Sequence, residues 1–553
     1  MRDSLIYRRP MLGLVGAAFA ALLTMVPALA QQQAPMLDEL VTSGALPPVA
    51  ERLPANPLVV TGESVGTYGG TWRMGMNGGG DNGLIVKTVA YEGLVRFASD
   101  WKTVEPNLAE SWEANAEATE YTFKLREGVS FSDGTPFDSE AAKWNIERWA
   151  GVPDFAWIGI ADAIDTVATD GPYGLVLTLN RRAPAGLLEL SLIRPVRFLS
   201  PKAVDADGNQ TAPIGTGPWV ITANDNSQTT LVRNETYWGP APAFGSIELL
   251  VVPDELARAN ALRAGDLDII GGDWVSPLSP RRARALEADG GVTLYNEPGT
   301  TTMLLGYSPS PEAIVADKAV RDAIYVSIDR AAMAQVLFEG FADPIADLFP
   351  AVIPLAGTRH EVPVRDIAAA KALLAAGGWT ETGGGWDKGG APLALRFLVS
   401  EESLPGSRRV AEMIQGMLGE AGITVEISPV DNATMHERRP AFDYDLTFFT
   451  TYGAPYDPHG SLGNMFLSNV DSGPDGKVYA DPELDPIVEA ALLASGAERE
   501  TGMQASHTQS GVDLCNVARA CGFERVLDIV EAFRAARRPL SLTELAESIG
   551  TPK

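Results

Sequence analysis

The residues that could support catalysis or bind a metal are few and scattered. The histidines are His360, His436, His459 and His507. No two of them have the spacing of metal ligands, and both cysteines, Cys515 and Cys521, lie close to the C-terminus. No Gly-x-Ser-x-Gly elbow stands in a suitable setting, and the glycine run 78–80 lacks the Lys-Ser/Thr of a phosphate loop. We therefore expect no catalytic residue, no metal site and no cofactor, and we interpret His459, after Asp457-Pro458, as a structural loop residue.

Length and charge limit the classes of partner. A chain of 553 residues exceeds one hydrophobic core and predicts at least two domains, with room for a cleft between them. Its net charge of −28 and isoelectric point near 4.6 argue against nucleic acid or an anionic membrane surface as a partner, because phosphate groups require a basic face. The plain interpretation of the acidic charge is solubility.

The N-terminus resembles an export signal. Arg2, Arg8 and Arg9 precede an apolar run over 11–26, and Pro27-Ala28-Leu29-Ala30 follows it. This pattern predicts a signal peptide of residues 1–30 that is cleaved after Ala30. An uncleaved anchor is the alternative, but the run is shorter than the roughly 20 residues that a membrane span needs. The absence of cysteine before the tail suits an oxidising compartment, so the expected location is the periplasm.

Alternating strands and helices predict an α/β fold. The Pro- and Ala-rich stretch 31–62 is expected to form an extended N-terminal arm. Strands are predicted at 71–74, 121–125, 175–179, 247–252 and 393–399, where apolar residues alternate or run between turns. Helices are predicted from Asp138, from Asp254 and over 367–376, the first two with acidic residues at their N-termini.

Several segments, in this order, resemble the extracytoplasmic binding proteins of the peptide/nickel class of ABC importers, solute-binding protein family 5. They are the segments 91–95 (YEGLV), 105–112 (EPNLAESW), 125–137 (LREGVSFSDGTPF), 215–219 (GTGPW), 233–238 (RNETYW) and 261–268 (ALRAGDLD). The resemblance covers about 69–497. It implies a large two-lobed periplasmic binding protein fold of type II with a hinge between the lobes. Lobe I would span 63–272 and lobe II 273–500, and the ligand would bind between them in a monomeric protein.

Within that family the chain is most similar to the nickel-binding branch. The shared segments are 155–157 (FAW), 193–198 (IRPVRF) and 452–459 (YGAPYDPH). The resemblance implies ligand contacts from Trp157, Arg194, Tyr452 and Tyr456. A guanidinium can hold a carboxylate through two parallel hydrogen bonds, and aromatic faces can sandwich a planar group, so an anionic ligand follows. A structural ion pair is the alternative role for Arg194.

Two positions depart from that branch. Asp154 replaces a second ligand-binding arginine, and Tyr452 replaces a tryptophan. A negative charge at 154 weakens the case for a doubly clamped metal carboxylate and admits a ligand with an amine or other cationic group there. The expected ligand is a small peptide or amino-acid-derived carboxylate, with a nickel chelate as the alternative, and the expected partners are ABC permease subunits of the inner membrane.

The tail 501–553 departs from the family. Its segments 523–533 (FERVLDIVEAF) and 541–546 (SLTELA) resemble the opening of an IclR-type helix-turn-helix domain. No recognition helix follows, so DNA binding is not expected, and both a genuine tail and a shifted or fused reading frame remain open. Two remote functions stay beside the transport function. One is a periplasmic hydrolase, for which the sequence offers no set of catalytic residues. The other is a transcription regulator, a function that conflicts with the export signal.

Overall fold

A computed structural model describes residues 33–54, 57–58, 67–78, 88–98, 103–155, 158–272, 275–297, 299–353, 360–454, 456, 458–468, 477, 482 and 485–494. The predicted signal peptide 1–30 and the tail 501–553 lie outside these residues. The chain divides into two compact units, Met1–Arg52 and Leu53–Lys553. Within the described part, no helix combines the length and apolarity needed to cross a membrane.

The strands, in chain order, are β1 Thr71–Met76, β2 Val95–Phe97, β3 Val104–Pro106, β4 Ala109–Ala114, β5 Glu120–Leu125, β6 Ile164–Asp170, β7 Gly174–Leu179, β8 Trp219–Asn224, β9 Gln228–Arg233, β10 Ser246–Val251, β11 Met303–Tyr307, β12 Thr380–Thr382, β13 Gly385–Lys388, β14 Ala391–Pro392, β15 Ala394–Val399, β16 Thr424–Pro429 and β17 Leu446–Thr450. All five predicted strands are confirmed, as β1, β5, β7, β10 and β15.

The α-helices are α1 Asp38–Thr42, α2 Val49–Arg52, α3 Ser139–Glu147, α4 Gly159–Ala163, α5 Gly186–Glu189, α6 Glu255–Ala264, α7 Pro280–Asp289, α8 Lys318–Ser327, α9 Arg330–Phe338, α10 Ile367–Ala376, α11 Ser407–Glu420, α12 Asn432–Arg438, α13 His459–Phe466 and α14 Asp485–Leu493. Short 3₁₀ turns occur at Pro35–Leu37, Pro153–Phe155, Pro201–Ala203 and Ile314–Ala316. The three predicted helices are confirmed as α3, α6 and α10, and Asp138 and Asp254 cap the first two through their carboxylates.

The first unit is not extended where the structure describes it. The arm predicted over 31–62 instead contains a 3₁₀ turn, α1 and α2. Pro35 occupies the first turn of the 3₁₀ segment, and Asp38 and Glu39 occupy the first turn of α1, where acidic groups are favourable. Arg52 ties the unit together by donating to the Gln33 side chain at 2.6 Å and to the Pro47 carbonyl at 2.9 Å.

Three sheets come from residues before 272. One has the order β1-β10-β9-β8, in which β1 and β10 are parallel and the other pairs antiparallel. A second, fully antiparallel sheet has the order β4-β5-β7-β6, and β2 pairs with β3. Every second residue of β5 is buried, which places Tyr121, Phe123 and Leu125 in the largest core of this half with α3 packed over it.

Two sheets come from residues after 302. The larger has the order β11-β17-β15-β16, in which β15 runs parallel to β16 and β17 while β11 is antiparallel to β17. Four consecutive residues of β17, Leu446–Phe449, are buried, as expected for a strand covered on both faces. Helices α8, α10 and α11 contribute to the core against this sheet, and β12, β13 and β14 form a small separate sheet. The molecule is therefore mixed α/β, and the lobe boundary at 272 stays a prediction.

Candidate ligand-binding site

The loop that follows β17 carries two tyrosines side by side. The backbone NH of Thr451 donates to the Thr302 carbonyl at 3.0 Å, and the NH of Tyr452 donates to the Ser461 hydroxyl at 3.0 Å. The rings of Tyr452 and Tyr456 meet edge to face, with centroids 6.3 Å apart and planes at 74°. The start of the loop is thus bonded both to the residue before β11 and to α13, and the two rings form an aromatic corner beyond the carboxyl end of a buried strand.

Gly460 allows helix α13 to approach this corner closely. Its NH donates to the Tyr456 carbonyl at 2.7 Å. A Cβ at this position would lie 3.2 Å from Cδ2 of Tyr452 and 3.4 Å from Cβ of Tyr456. A larger residue would therefore push against both tyrosines, so the glycine contributes to their placement.

Tyr456 also contacts the N-terminal half of the second unit. Its ring packs on the core cluster built from residues such as Leu192 and Val196. Burial raises the pKa of Tyr456, and the positive charges of Arg194 and Arg197 oppose that rise. The two guanidinium groups are therefore close enough for their charges to act on the tyrosine hydroxyl. This interaction links the aromatic corner in one half of the chain to residues 193–198 in the other, which we call the basic segment.

Arg197 differs from Arg194 in its degree of burial. Arg194 is exposed, whereas Arg197 is largely buried and donates from Nη2 to the Ser191 carbonyl at 3.2 Å. The Nε of Arg197 is buried and has no hydrogen-bond partner among the described residues. Burial lowers the pKa of Arg197, while Glu92 and Tyr456 raise it. A positive charge held in a partly dry setting interacts more strongly with an anion than one in open solvent.

Glu92 holds one end of the basic segment in place. Its carbonyl accepts from the NH of Phe198 at 2.9 Å, which anchors the strand-like end of the segment. Its buried carboxylate accepts from the hydroxyls of Thr216 and Tyr237 and from the indole NH of Trp238, each at 2.9 Å. Burial raises the pKa of Glu92 to about 6 despite these three donors and the charge of Arg197.

A second buried carboxylate, Glu189, lies where α5 ends. It accepts from the backbone NH groups of Ile160 at 2.6 Å and Gly159 at 3.2 Å. The Nε2 atom of His459 lies 3.5 Å from its Oε1 atom, and both side chains are about nine-tenths buried. Burial opposes ionisation of Glu189, but the histidine and the two NH groups together lower its pKa. This contact also joins residues from the two halves of the second unit.

Three of the five predicted ligand residues can be placed. Tyr452 and Tyr456 share the aromatic corner, and Arg194 is close to Tyr456. Trp157 and the side chain of Asp154 lie outside the described residues, so the predictions for them stay predictions.

Sequence reasoning did not single out Arg197, Glu92 or Glu189. Arg197 stood inside the segment 193–198 that carried the resemblance, and its spacing of three from Arg194 was a usable signal. The two glutamates had no local signal, because their partners are distant along the chain. The interpretation of His459 as a loop residue is wrong, because His459 is the first residue of α13. It is buried, and its Nδ1 has no hydrogen-bond partner among the described residues.

The remaining described histidines are separate from this site. His360 pairs through Nδ1 with Asp347 at 2.5 Å, and His436 lies in the last turn of α12. In the described part of the chain, no three histidine, cysteine, aspartate or glutamate side chains are grouped so that they could hold a metal ion.

Comparison with known proteins identifies two regions. The profile of the bacterial extracellular solute-binding proteins, family 5 (middle), matches residues 103–473, and that of the IclR helix-turn-helix domain matches 523–553. Both resemblances predicted from the sequence are confirmed. The second match falls on residues whose structure is not described.

Three similar proteins cover most of the chain. The nickel-binding periplasmic protein of Escherichia coli (strain K12) is 32% identical over 397 residues, 69% of this chain and 74% of its own. The di/tripeptide-binding protein 2 of Pseudomonas aeruginosa (strain UCBPP-PA14) is 25% identical over 446 residues, 75% and 80% respectively. The crystal structure of an ABC transporter substrate-binding protein from Sinorhizobium meliloti superposes with a TM-score of 0.69 at 38% identity, covering 80% of this chain and 92% of that one.

The first two proteins are named for binding nickel and di- or tripeptides, and the third for binding the substrate of an ABC transporter. The structural match also confirms the periplasmic binding protein fold class. Since the family profile spans more than half of the sequence, the chain belongs to family 5 of the bacterial extracellular solute-binding proteins.

Proposed function

We propose that this chain is the periplasmic solute-binding component of an ABC importer and that it binds a small solute carrying a carboxylate. The observation that carries the ligand class is the position of the Tyr452–Tyr456 corner beside Arg194 and Arg197. Aromatic rings offer flat apolar contact, and a guanidinium offers two parallel donors to a carboxylate. The solute would lie between the predicted lobes and favour the closed form that a permease recognises.

A small peptide or amino-acid-derived carboxylate is the proposed ligand. The P. aeruginosa relative is named for di- and tripeptides, and a peptide carries both a carboxylate and an amine. Asp154, where the resemblance expects an arginine, would suit the amine. A nickel chelate is the second candidate, supported by the E. coli relative that is named for nickel.

The proposal is tested with protein purified from the periplasm. Native mass spectrometry identifies any solute that copurifies, and calorimetry then measures binding of dipeptides and of nickel with two equivalents of L-histidine. Arg194→Ala should weaken binding of the preferred solute by about tenfold or more, since bonds to charged groups contribute roughly 1.5–3 kcal/mol. Arg182→Ala is the matched control, because Arg182 is an arginine that donates to the Glu117 carbonyl instead.

Each outcome of these measurements tests a different part of the proposed function. Equal affinity in the wild type and Arg194→Ala would remove Arg194 from the site. Binding of the nickel complex but of no peptide would establish the second candidate. Turnover of a bound solute would replace transport by an enzymatic function.

A further inference from the structure

We propose that Glu189 is a positioning residue that holds the ligand-bearing segments of both halves of the second unit in register, and that His459 is its partner across them. The proposal rests on the proposed function, because the segments concerned are those assigned to the ligand. The geometry points to Glu189 because one carboxylate bonds elements that come from three separate stretches of the chain.

The first stretch is the start of α4. The NH groups of Gly159 and Ile160 donate to the two oxygens of Glu189, and Gly159 follows Trp157 by two residues. The approach is close, because a Cβ on Gly159 would lie 3.2 Å from Oε1. The carboxylate therefore replaces a backbone acceptor for two of the free NH groups at this helix start.

The second stretch is the turn that leads to Arg194. Glu189 is the last residue of α5, and its carbonyl accepts from the NH of Leu192 at 3.1 Å. The carbonyl of Ser191 in the same turn accepts from Arg197 at 3.2 Å. Moving Glu189 would therefore shift the turn that binds Arg197 and precedes Arg194 in the chain.

The third stretch is the aromatic corner. His459 begins α13, three residues after Tyr456, and its Nε2 lies 3.5 Å from Glu189. A charged imidazole at this distance would attract the carboxylate in a setting from which water is largely excluded. The pair therefore ties the tyrosine loop to the other two stretches.

Among the described residues, few other charges face the imidazole. Arg194 and Arg197 act on Tyr456, the residue one turn before it. On α14, which packs on α13, Asp485 is engaged with the backbone NH and hydroxyl of Ser468, and Glu489 is exposed. Asp457 lies outside the described residues. The pKa of Glu189 is lowered, so its carboxylate stays ionised near neutral pH and keeps its role as an acceptor.

This arrangement couples the two side chains to affinity. We expect Glu189→Gln and His459→Gln each to weaken solute binding by about tenfold, because each removes one partner of the contact. Asp322→Asn is the matched control, since Asp322 is a buried carboxylate on α8 paired with Lys318.

Calorimetry tests this with two probes, glycyl-glutamate and nickel with two equivalents of L-histidine. The ratio of variant to wild-type dissociation constants is compared for each probe. A double variant no weaker than either single variant supports the pair. Ratios near one in both variants, or an equal loss in Asp322→Asn, would overturn the inference.

A ligand-free measurement separates this inference from the proposed function. If the wild type binds neither probe, the proposed solute class is refuted. Urea unfolding of the wild type, the Glu189→Gln and His459→Gln variants and the double variant then tests whether the two side chains interact. We expect non-additive unfolding constants, coupled about fivefold. Additive effects would refute the contact itself.

Discussion

The buried carboxylate of Glu92 predicts a measurable dependence of stability on pH. Its pKa rises from an ordinary 4.5 to about 6, chiefly through burial. A group with a raised pKa contributes stability that is fully present below the lower value and is lost as pH rises through the higher one. A change from 4.5 to about 6 corresponds to about 2 kcal/mol lost between these pH values.

Glu92→Gln should remove this dependence with little change in shape. The amide oxygen can accept from Thr216 and Trp238, and its NH₂ can donate to the hydroxyl oxygen of Tyr237, so the hydrogen bonds to Glu92 are all replaced. We expect the variant to match the wild type near pH 4.5 and to exceed its free energy of unfolding by up to about 2 kcal/mol at pH 7.5.

Urea denaturation followed by tryptophan fluorescence, repeated from pH 4.5 to 7.5, measures the difference between the two proteins. Subtracting the curves removes the titration of the other carboxylates, which is essential in a chain of net charge −28. Glu120→Gln, on an exposed position of β5, is the control and should give a flat difference. A flat difference for Glu92→Gln as well, or a variant that is less stable than the wild type at pH 7.5, would refute the raised pKa of Glu92.

Three further outcomes follow from the structure. Gly460→Ala should weaken solute binding several-fold in calorimetry, because the new Cβ meets Tyr452 at 3.2 Å. The control Gly416→Ala in α11 has open space around the new Cβ and should stabilise the protein by about 0.5–1 kcal/mol in urea unfolding. Asp254→Ala should cost about 1 kcal/mol of unfolding free energy by uncapping α6, measured against Asp266→Ala, a carboxylate just beyond the end of that helix. Protein recovered from the periplasm should begin at Gln31 by N-terminal sequencing, and an intact Met1 would refute the predicted cleavage.

The regular elements could be predicted because their signals are local. The alternation over 121–125 and the carboxylates at Asp138 and Asp254 act within one strand or one helical turn, and the structure has the strand and helices there. The first unit shows the limit of composition. Its Pro- and Ala-rich sequence predicted an extended arm, but Pro35 and the acidic pair of α1 favour helical turns.

The candidate site was only partly predictable, because its contacts are long-range. Tyr452, Tyr456 and Arg194 came from resemblance, whereas Glu92 bonds Thr216 across 124 residues of sequence and left no periodic pattern. A single buried polar residue has a partner only once the sheets are assembled. Sequence periodicity therefore finds strands and helices but not the carboxylates that lie between them.

The way the ligand segments are attached suggests how affinity can change without unfolding. The aromatic corner and the start of α4 are each held by one or two bonds to a single side chain, Ser461 or Glu189, outside the named strands. The basic segment is held through the backbone carbonyl of Glu92. The cores beneath them are large and apolar, so loss of one such bond costs little of the total stability. It does change the distance between rings and guanidinium groups, and solute binding depends on that distance directly. Substitutions at these anchors should therefore separate affinity from stability, in contrast to truncation of a core residue such as Phe123, which should reduce both.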